Sequence, residues 1–444
     1  MRLVRPSLSI IGLGYVGLTT AAAFASKGFR VLGYDVDHEK VRRINKGNAT
    51  FHEPGIGRLL AKALKNGFRA ANDLQPADIN FITVGTPSAR DGAIDLRYVR
   101  SASESLGKAL KFSNGYNLVV VKSTVVPGST GEVVKPIVER ASGKNFGPKL
   151  GLAVNPEFLR EGAAIEDTLA PDRLVIGELD VNSGDTLENL YRSIYGARIP
   201  KLLRTNLVNA ELIKYASNAF LATKVSYINM IANLCQEIPG ADVEVVAKGM
   251  GMDERIGPRF LKAGAGWGGS CWPKDLRALE SLYTKLGLQA RILDATSGVN
   301  DAQPLALVQL ARELIGELKD KRVAILGLSF KPNTDDMREA VSLKVIDHLL
   351  ANGASVVGYD PLSIDNAKKV LGRRISFAPT ANDALRGSDC CIIVTEWEEF
   401  TRLMPRDFLS RMRSPIVIDG RRILKPEKFA KHVRFAAIGL GESH

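Results

Sequence analysis

One cysteine, Cys271, stands in the run GWGGSCWPKDL, with Lys274 and Asp275 three and four residues after it. A thiol beside a cation and a carboxylate suits covalent catalysis, because the thiolate is the nucleophile and neighbouring charge controls how much of it exists. Four glycines, Gly264, Gly266, Gly268 and Gly269, precede it. Glycine lets backbone approach a ligand with no Cβ in the way. A glycine-rich surface turn with an inert thiol would use the same residue types, so the rest of the chain must decide between the two.

Other residues could join such chemistry. Glu157 and Glu161 lie four apart in NPEFLREG. On a helix they would share a face, where two carboxylates can drive their pKa values apart for acid–base work; otherwise they are solvated. Lys214 and Asn218, also four apart, fall in TNLVNAELIKYASNAFLATKVSYINMIANLC, which contains no proline or glycine. Four-residue spacing places them on one helix face. A lysine facing a cavity there would stabilise developing negative charge, whereas one reaching solvent would only snorkel.

The elements that position these residues begin at the N-terminus. An apolar strand runs into GLGYVG, then a helical stretch, then a second strand ending at Asp35. This is the dinucleotide-binding fingerprint in its strand–turn–helix–strand setting. Gly12 permits the turn, Gly14 admits the pyrophosphate, and Gly17 allows close helix packing, so the turn, Tyr15 and Val16 included, is the expected cofactor cradle. Asp35 is placed to bind the adenosine ribose and to repel a 2′-phosphate, which favours NAD over NADP. Later strands end in small or polar residues, where α/β sheets place ligands; Thr86 and Thr124 are therefore expected to face the cofactor.

The proline- and glycine-free run reads as a long helix over about 206–235, apolar on too much of its circumference for a one-sided surface helix. Thr205 or Asn206 can cap it. A second α/β unit starts near KRVAILGLSFKP. Its turn carries Phe330 and Pro332 where the fingerprint needs small residues, which argues against a second dinucleotide site. Lys331, Arg338 and Arg421 instead offer cations at strand ends, suited to a phosphate-bearing substrate. The expected fold is α/β, with two Rossmann-like doubly wound parallel-sheet domains joined by a long central helix. The expected boundaries are 1–200 for NAD binding, 201–317 for a helical linker and dimerisation domain with the cysteine loop, and 318–444 for a Rossmann-like domain that binds the phosphate-bearing substrate.

Composition excludes several classes. With 45% hydrophobic and 24% charged residues among 444, the chain reads as an ordinary globular protein. No apolar run approaches the roughly 20 residues that span a bilayer, and the N-terminal stretch has no cleavable signal pattern, so no membrane partner and a cytoplasmic location are expected. Four cysteines and five scattered histidines offer no metal cluster, so no metal is expected. Cys235, Cys390 and Cys391 read as small core residues. The net charge of +12 suits phosphorylated small molecules. Lys and Arg are dispersed rather than clustered, so no nucleic-acid partner is expected.

Together GLGYVGL, VGTP, KSTVVPGST, NPEFLREG, AELIKYASNAFLATKVSYINMIA, DERIGPRFLKAGAGWGGSCWPKD and LGLSFKPNTDDMREA resemble the UDP-glucose/GDP-mannose dehydrogenase family, nearly end to end and in order. The resemblance implies a four-electron oxidation of C6 of a nucleotide sugar to a carboxylate, with NAD as cofactor. It implies that Cys271 forms a thiohemiacetal and then a thioester, with a first base among Lys214, Asp275 and an ordered water. Glu161 and Asp275 would assist hydrolysis, Lys214 and Asn218 would hold the oxyanion, and Thr124 would belong to the same catalytic set.

By the same resemblance Glu157, Phe158, Leu159, Phe260, Lys262, Gly268, Phe330, Lys331 and Arg421 would contact substrate, with Glu161, Lys214 and Asn218. Lys274 and Arg338 would contact NAD. Arg255 would reach the site of a partner subunit, implying a homodimer or a higher homo-oligomer. UDP-glucose is the expected substrate, with GDP-mannose and UDP-N-acetylmannosamine as alternatives. A one-step hydroxyacid dehydrogenase would have no use for Cys271. A chain that had lost its chemistry would not need Lys214, Asn218, Cys271 and Asp275 together. Two departures flank the nucleophile, Trp267 where the family carries phenylalanine and Trp272 where a smaller residue is common; they bear on sugar preference.

Overall fold

The computed structural model describes residues 5–441. The chain divides into two compact units, Met1–Ser217 with Arg277–Leu282, and Asn218–Leu276 with Tyr283–His444.

The first unit holds eight strands: β1 (Leu8–Ile11), β2 (Val31–Tyr34), β3 (Arg69–Ala71), β4 (Ile79–Ile82), β5 (Asn117–Val121), β6 (Leu150–Val154), β7 (Arg173–Glu178) and β8 (Lys201–Asn206). They form one sheet in the order β3-β2-β1-β4-β5-β6-β7-β8. The first six are parallel, and their order is that of a doubly wound dinucleotide-binding sheet. LSII, INFI, NLVVV and LGLAV are buried throughout, as expected where helices cover both sheet faces. β7 then pairs antiparallel with β6 through Ala153 and Val154, and β8 joins β7 in parallel.

The second unit holds β9 (Arg322–Leu326), β10 (Ser355–Tyr359), β11 (Ser376–Phe377), β12 (Cys390–Ile393), β13 (Ile416–Asp419) and β14 (Arg434–Ala437). Their order, β11-β10-β9-β12-β13-β14, repeats the doubly wound pattern in an all-parallel sheet. Cys390 and Cys391 lie fully buried in β12. Burial pushes the Cys390 thiol up to about 12, so it is an inert core residue.

The central helix spans Leu207–Glu237. Asn206 caps it, its side-chain oxygen accepting the Asn209 N–H at 2.8 Å. NPEFLREG is not helical. The chain after β6 stays irregular through Arg160, turns at Glu161 and Gly162, and becomes helical only at Ala164–Leu169. Pro156 disfavours helical geometry in the residue before it, and Gly162 sits at φ 83°. Glu157 and Glu161 therefore share no helix face, contrary to one expectation from their spacing. Glu157 is buried and Glu161 is half-buried in the turn.

Candidate active site

The fingerprint residues of the first unit build a cradle. Gly12 follows β1 at φ 96°, and an added Cβ would lie 2.8 Å from the Val84 side chain. Gly17 packs so closely that a Cβ would sit 1.9 Å from the Gly12 carbonyl oxygen. At Gly14 nothing lies within 4 Å of that position, so its backbone is open to a ligand at the start of the helix Tyr15–Ser26. Anions favour such a helix start. Asp35 is buried just past β2, accepting the Leu13 N–H at 2.8 Å and the Lys40 ammonium at 2.9 Å. Thr86 lies buried beyond β4, and Thr124 half-buried beyond β5. These features fit a dinucleotide.

Tyr15 has a more structural place than its motif suggests. Its hydroxyl donates to buried Glu53, which also accepts the Gly162 and Ala164 N–H groups, each at 2.7 Å. Burial, followed by the Glu53 carboxylate, holds the phenol proton tightly. Tyr15 and Glu53 thus brace the turn that carries Glu161. Val16, beside it, is half-buried at the head of the same helix.

Past β6 a buried charge cluster forms. Lys214, on the second turn of the central helix, donates to Glu157 Oε1 at 2.8 Å, and both side chains are under 10% exposed. Glu157 Oε2 accepts the Leu159 N–H at 2.8 Å. Burial alone would raise the Glu157 pKa, but the Lys214 ammonium, the Leu159 N–H and the charge of Lys122 together hold it below its ordinary value. The Phe158 ring lies 3.9 Å from the Arg173 guanidinium and 5.6 Å from the Lys214 ammonium. Lys122 completes the cluster, its Nζ donating to Asn155 Oδ1 at 2.8 Å. Lys122, Asn155, Glu53 and Lys40 are absent from the sequence-based site. Only the position of Lys122 just past an apolar strand, and of Asn155 past the next, hinted at them.

The cysteine loop belongs to the second unit. Cys271 directly precedes the helix Trp272–Lys285, and its carbonyl accepts the Asp275 N–H at 2.9 Å. Ser270 Oγ stands 3.5 Å from the Cys271 sulfur. Asp275, 1% exposed, accepts Asn218 Nδ2 on Oδ2 at 2.7 Å and Lys274 Nζ on Oδ1 at 2.5 Å. Asn218 lies one turn after Lys214 on the continuous central helix.

The glycine block is held from several sides. Asn229 Oδ1 accepts the Gly264 N–H at 2.9 Å, and Asn300 bonds both the N–H and the carbonyl of Trp267. The Trp267 indole N–H donates to Ser226 at 3.0 Å, so the tryptophan brings its own partner on the central helix. Arg421, expected at the substrate, donates to the carbonyls of Gly266 and Val394 at 2.9 and 2.6 Å, which makes it a brace of this loop. An added Cβ on Gly268 would meet the Glu339 carbonyl at 2.0 Å, and one on Gly269 would meet the Phe330 ring at 2.6 Å. Phe260, Trp267 and Trp272 form a run of ring contacts at 5.9 and 6.0 Å.

Beyond β10, Asp360 stands where Asp35 stands beyond β2. It accepts the N–H groups of Leu328 and Ser329, the Ser329 hydroxyl and the Trp397 indole. This carboxylate is bonded within its own turn. Lys331 is half-buried on that turn, and Lys262 is exposed. Arg255 and Arg338 are exposed and each forks onto a carboxylate two residues before it, Asp253 and Asp336. Among the described residues no three His, Cys, Asp or Glu side chains gather to hold a metal ion. No helix among them is long and apolar enough to cross a membrane.

The folds and cradle define an NAD-dependent dehydrogenase with a second nucleotide-handling sheet. The chain belongs to the UDP-glucose/GDP-mannose dehydrogenase family: residues 6–195 match its NAD binding domain, 208–302 its central domain and 324–426 its UDP binding domain. It is 44% identical to the UDP-glucose 6-dehydrogenase AglM of Haloferax volcanii, over 94% of this chain and 97% of that protein. The structure of a UDP-glucose dehydrogenase from Pyrobaculum islandicum is 39% identical with a TM-score of 0.89, covering 99% of this chain and 98% of the other. That of a UDP-D-ManNAc dehydrogenase from Pyrococcus horikoshii is 27% identical with a TM-score of 0.86, covering 98% and 99%. NAD is the cofactor and a nucleotide sugar the substrate.

Proposed function

We propose that the protein oxidises UDP-glucose to UDP-glucuronate through a covalent intermediate on Cys271. The observation that carries this reading is the placement of Cys271 at the head of a helix whose first turn holds Asp275, with Asn218 and Lys274 on its carboxylate. The higher identity to the UDP-glucose enzymes than to the UDP-D-ManNAc enzyme favours glucose as the sugar.

NAD, when bound, accepts a hydride in each of two oxidations, so two molecules are consumed per sugar. The C6 alcohol loses its hydroxyl proton to a base from the set Lys214, Asp275 and a water held near them, and loses a hydride from C6, leaving an aldehyde. Cys271 sulfur then bonds to C6 as the carbonyl π bond opens, and the oxygen takes up the thiol's proton to become the hydroxyl of a thiohemiacetal. The aligned N–H groups of the helix start favour negative charge on that sulfur. Loss of the second C6 hydride gives a thioester. Water adds, the C–S bond breaks, and the thiol and a carboxylate are released, with Glu161 or Asp275 taking the water's proton. Lys214 and Asn218 supply fixed donors to the oxyanion in these steps. A thiol is needed because the aldehyde must be held between the two oxidations.

Thr86, Lys274 and Arg338 join the cofactor site in this reading, while Phe330, Lys331, Lys262 and Arg421 take the nucleotide sugar. Arg421 would have to leave one of its carbonyls to do so. In this reading residues 1–200 bind NAD, 201–317 link and dimerise and carry the cysteine loop, and 318–444 bind the nucleotide sugar. We further propose a homodimer in the cytoplasm. Phe220, Tyr227 and Leu234, seven residues apart on the central helix, present an exposed apolar stripe with Met230.

The test is the amount of NADH formed per UDP-glucose, run beside GDP-mannose and UDP-N-acetylmannosamine. A ratio near two with UDP-glucose supports the reading, and a ratio near one leaves Cys271 without a role. Cys271→Ser is expected to stop after partial oxidation, with turnover reduced by about a thousandfold.

A further inference from the structure

Lys122 lies just past the carboxyl end of β5, where a parallel sheet presents its ligands. Its Nζ donates to Asn155 Oδ1 at 2.8 Å. Asn155 is 1% exposed and otherwise fully used, since the Tyr191 hydroxyl donates to the same oxygen and its own Nδ2 donates to the Val175 carbonyl at 2.9 Å. Two residues on is Glu157, whose carboxylate holds the Lys214 ammonium at 2.8 Å. We propose that Lys122 is a positioning residue for the Glu157–Lys214 pair, fixing the turn that carries Glu157 and tuning through its own charge how tightly that carboxylate holds Lys214.

The cluster has more cations than anions. Glu157 faces Lys122 from the end of β5 and Lys214 from the central helix, with Arg173 of β7 against the Phe158 ring and the Tyr191 phenol on Asn155. Burial is the largest effect; it outweighs the attraction of Glu157, a smaller repulsion from Lys214 adds to it, and the Lys122 ammonium is pushed down to about 8. Below that value Lys122 is charged and draws part of the Glu157 field. Above it Lys122 is neutral, and Glu157 holds Lys214 alone and more tightly. The charged form of Lys122 therefore leaves the Lys214 ammonium freer to donate to an oxyanion. The inference rests on the role proposed for Lys214.

The test follows the first hydride transfer in a single turnover with UDP-glucose and NAD, which precedes any thiol chemistry, from about pH 6 to about pH 10. Wild type, Lys122→Met, Lys122→Arg and Lys214→Ala are compared. Wild type should lose rate through an inflection near pH 8. Lys122→Met should be slower at pH 7 by about tenfold, with little change in KM for either substrate, and should lack the inflection. Lys122→Arg, permanently charged, should keep most of the rate at pH 7 and also lack it. A wild-type profile in Lys122→Met overturns the proposal, as does an unchanged inflection in Lys122→Arg, which decides the matter if the methionine variant does not fold. Full activity in Lys214→Ala would instead overturn the role given to Lys214.

Discussion

A charge shielded from water depends on its partner, and Glu157 and Lys214 are each other's. Removing Glu157 takes from the buried Lys214 ammonium the carboxylate it donates to, a change that costs about 3 kcal/mol. Glu157→Ala should therefore lower thermal stability as well as activity. The sign of its pH dependence follows from the direction of the shift. The folded pKa is depressed below the ordinary 4.5, so the contribution is present above that value and is lost as pH falls through the folded pKa. The melting-temperature gap between wild type and Glu157→Ala should close in acid and be fully open at pH 7. A gap that persists unchanged throughout the acid range would mean that packing, and not charge, is what the alanine removes. Which carboxylate meets Lys214 was not legible in the sequence. Spacing treated Glu157 and Glu161 as equals on a helix, but Pro156 and Gly162 break the helix and only the fold selects Glu157. Lys122 was hidden for a similar reason. A lysine past an apolar strand has no periodic signature, and its partners are 33 and more residues away.

At the scale of elements the glycine fingerprint separates two physical roles that one motif combines. Gly17 has no room for a methyl group, since its Cβ would lie 1.9 Å from the Gly12 carbonyl oxygen. Gly17→Ala must push the helix Tyr15–Ser26 off the strand and should cost about 1–3 kcal/mol in a melting experiment. Gly14, at φ −73°, has an ordinary backbone conformation and open space around it. Gly14→Ala should keep the wild-type melting temperature yet raise KM for NAD, because its methyl group would stand where the pyrophosphate approaches. Equal melting losses in the two variants would refute this division. The elements themselves were largely legible. Continuous apolar runs bounded by small residues marked the buried parallel strands, and a run without proline or glycine marked the central helix. The antiparallel step from β6 to β7 was not, because pairing direction depends on how the chain turns back and not on the composition of either strand.

At the scale of the molecule the proposed dimer makes its own demand. Phe220 is 66% exposed and Leu234 56% exposed on the central helix. Apolar side chains repeated every seven residues return to nearly one line along a helix, and such a stripe is stable in water when a second surface covers it. Phe220→Asp should therefore shift the protein from dimer to monomer in light scattering, with far-UV circular dichroism unchanged. Arg255 couples this to activity. Its guanidinium is 89% exposed in the single chain, paired only locally with Asp253 in its own turn, and the proposed role places it in the partner's substrate site. Monomeric Phe220→Asp should then lose affinity for UDP-glucose, and Arg255→Ala should show the same rise in KM while remaining dimeric. Mixing inactive Cys271→Ser with Arg255→Ala discriminates further. Subunits that exchange would form heterodimers in which an intact Cys271 receives an intact Arg255 from its partner, so activity should rise above that of either variant alone. Activity that stays at the sum of the two would show that Arg255 serves its own chain.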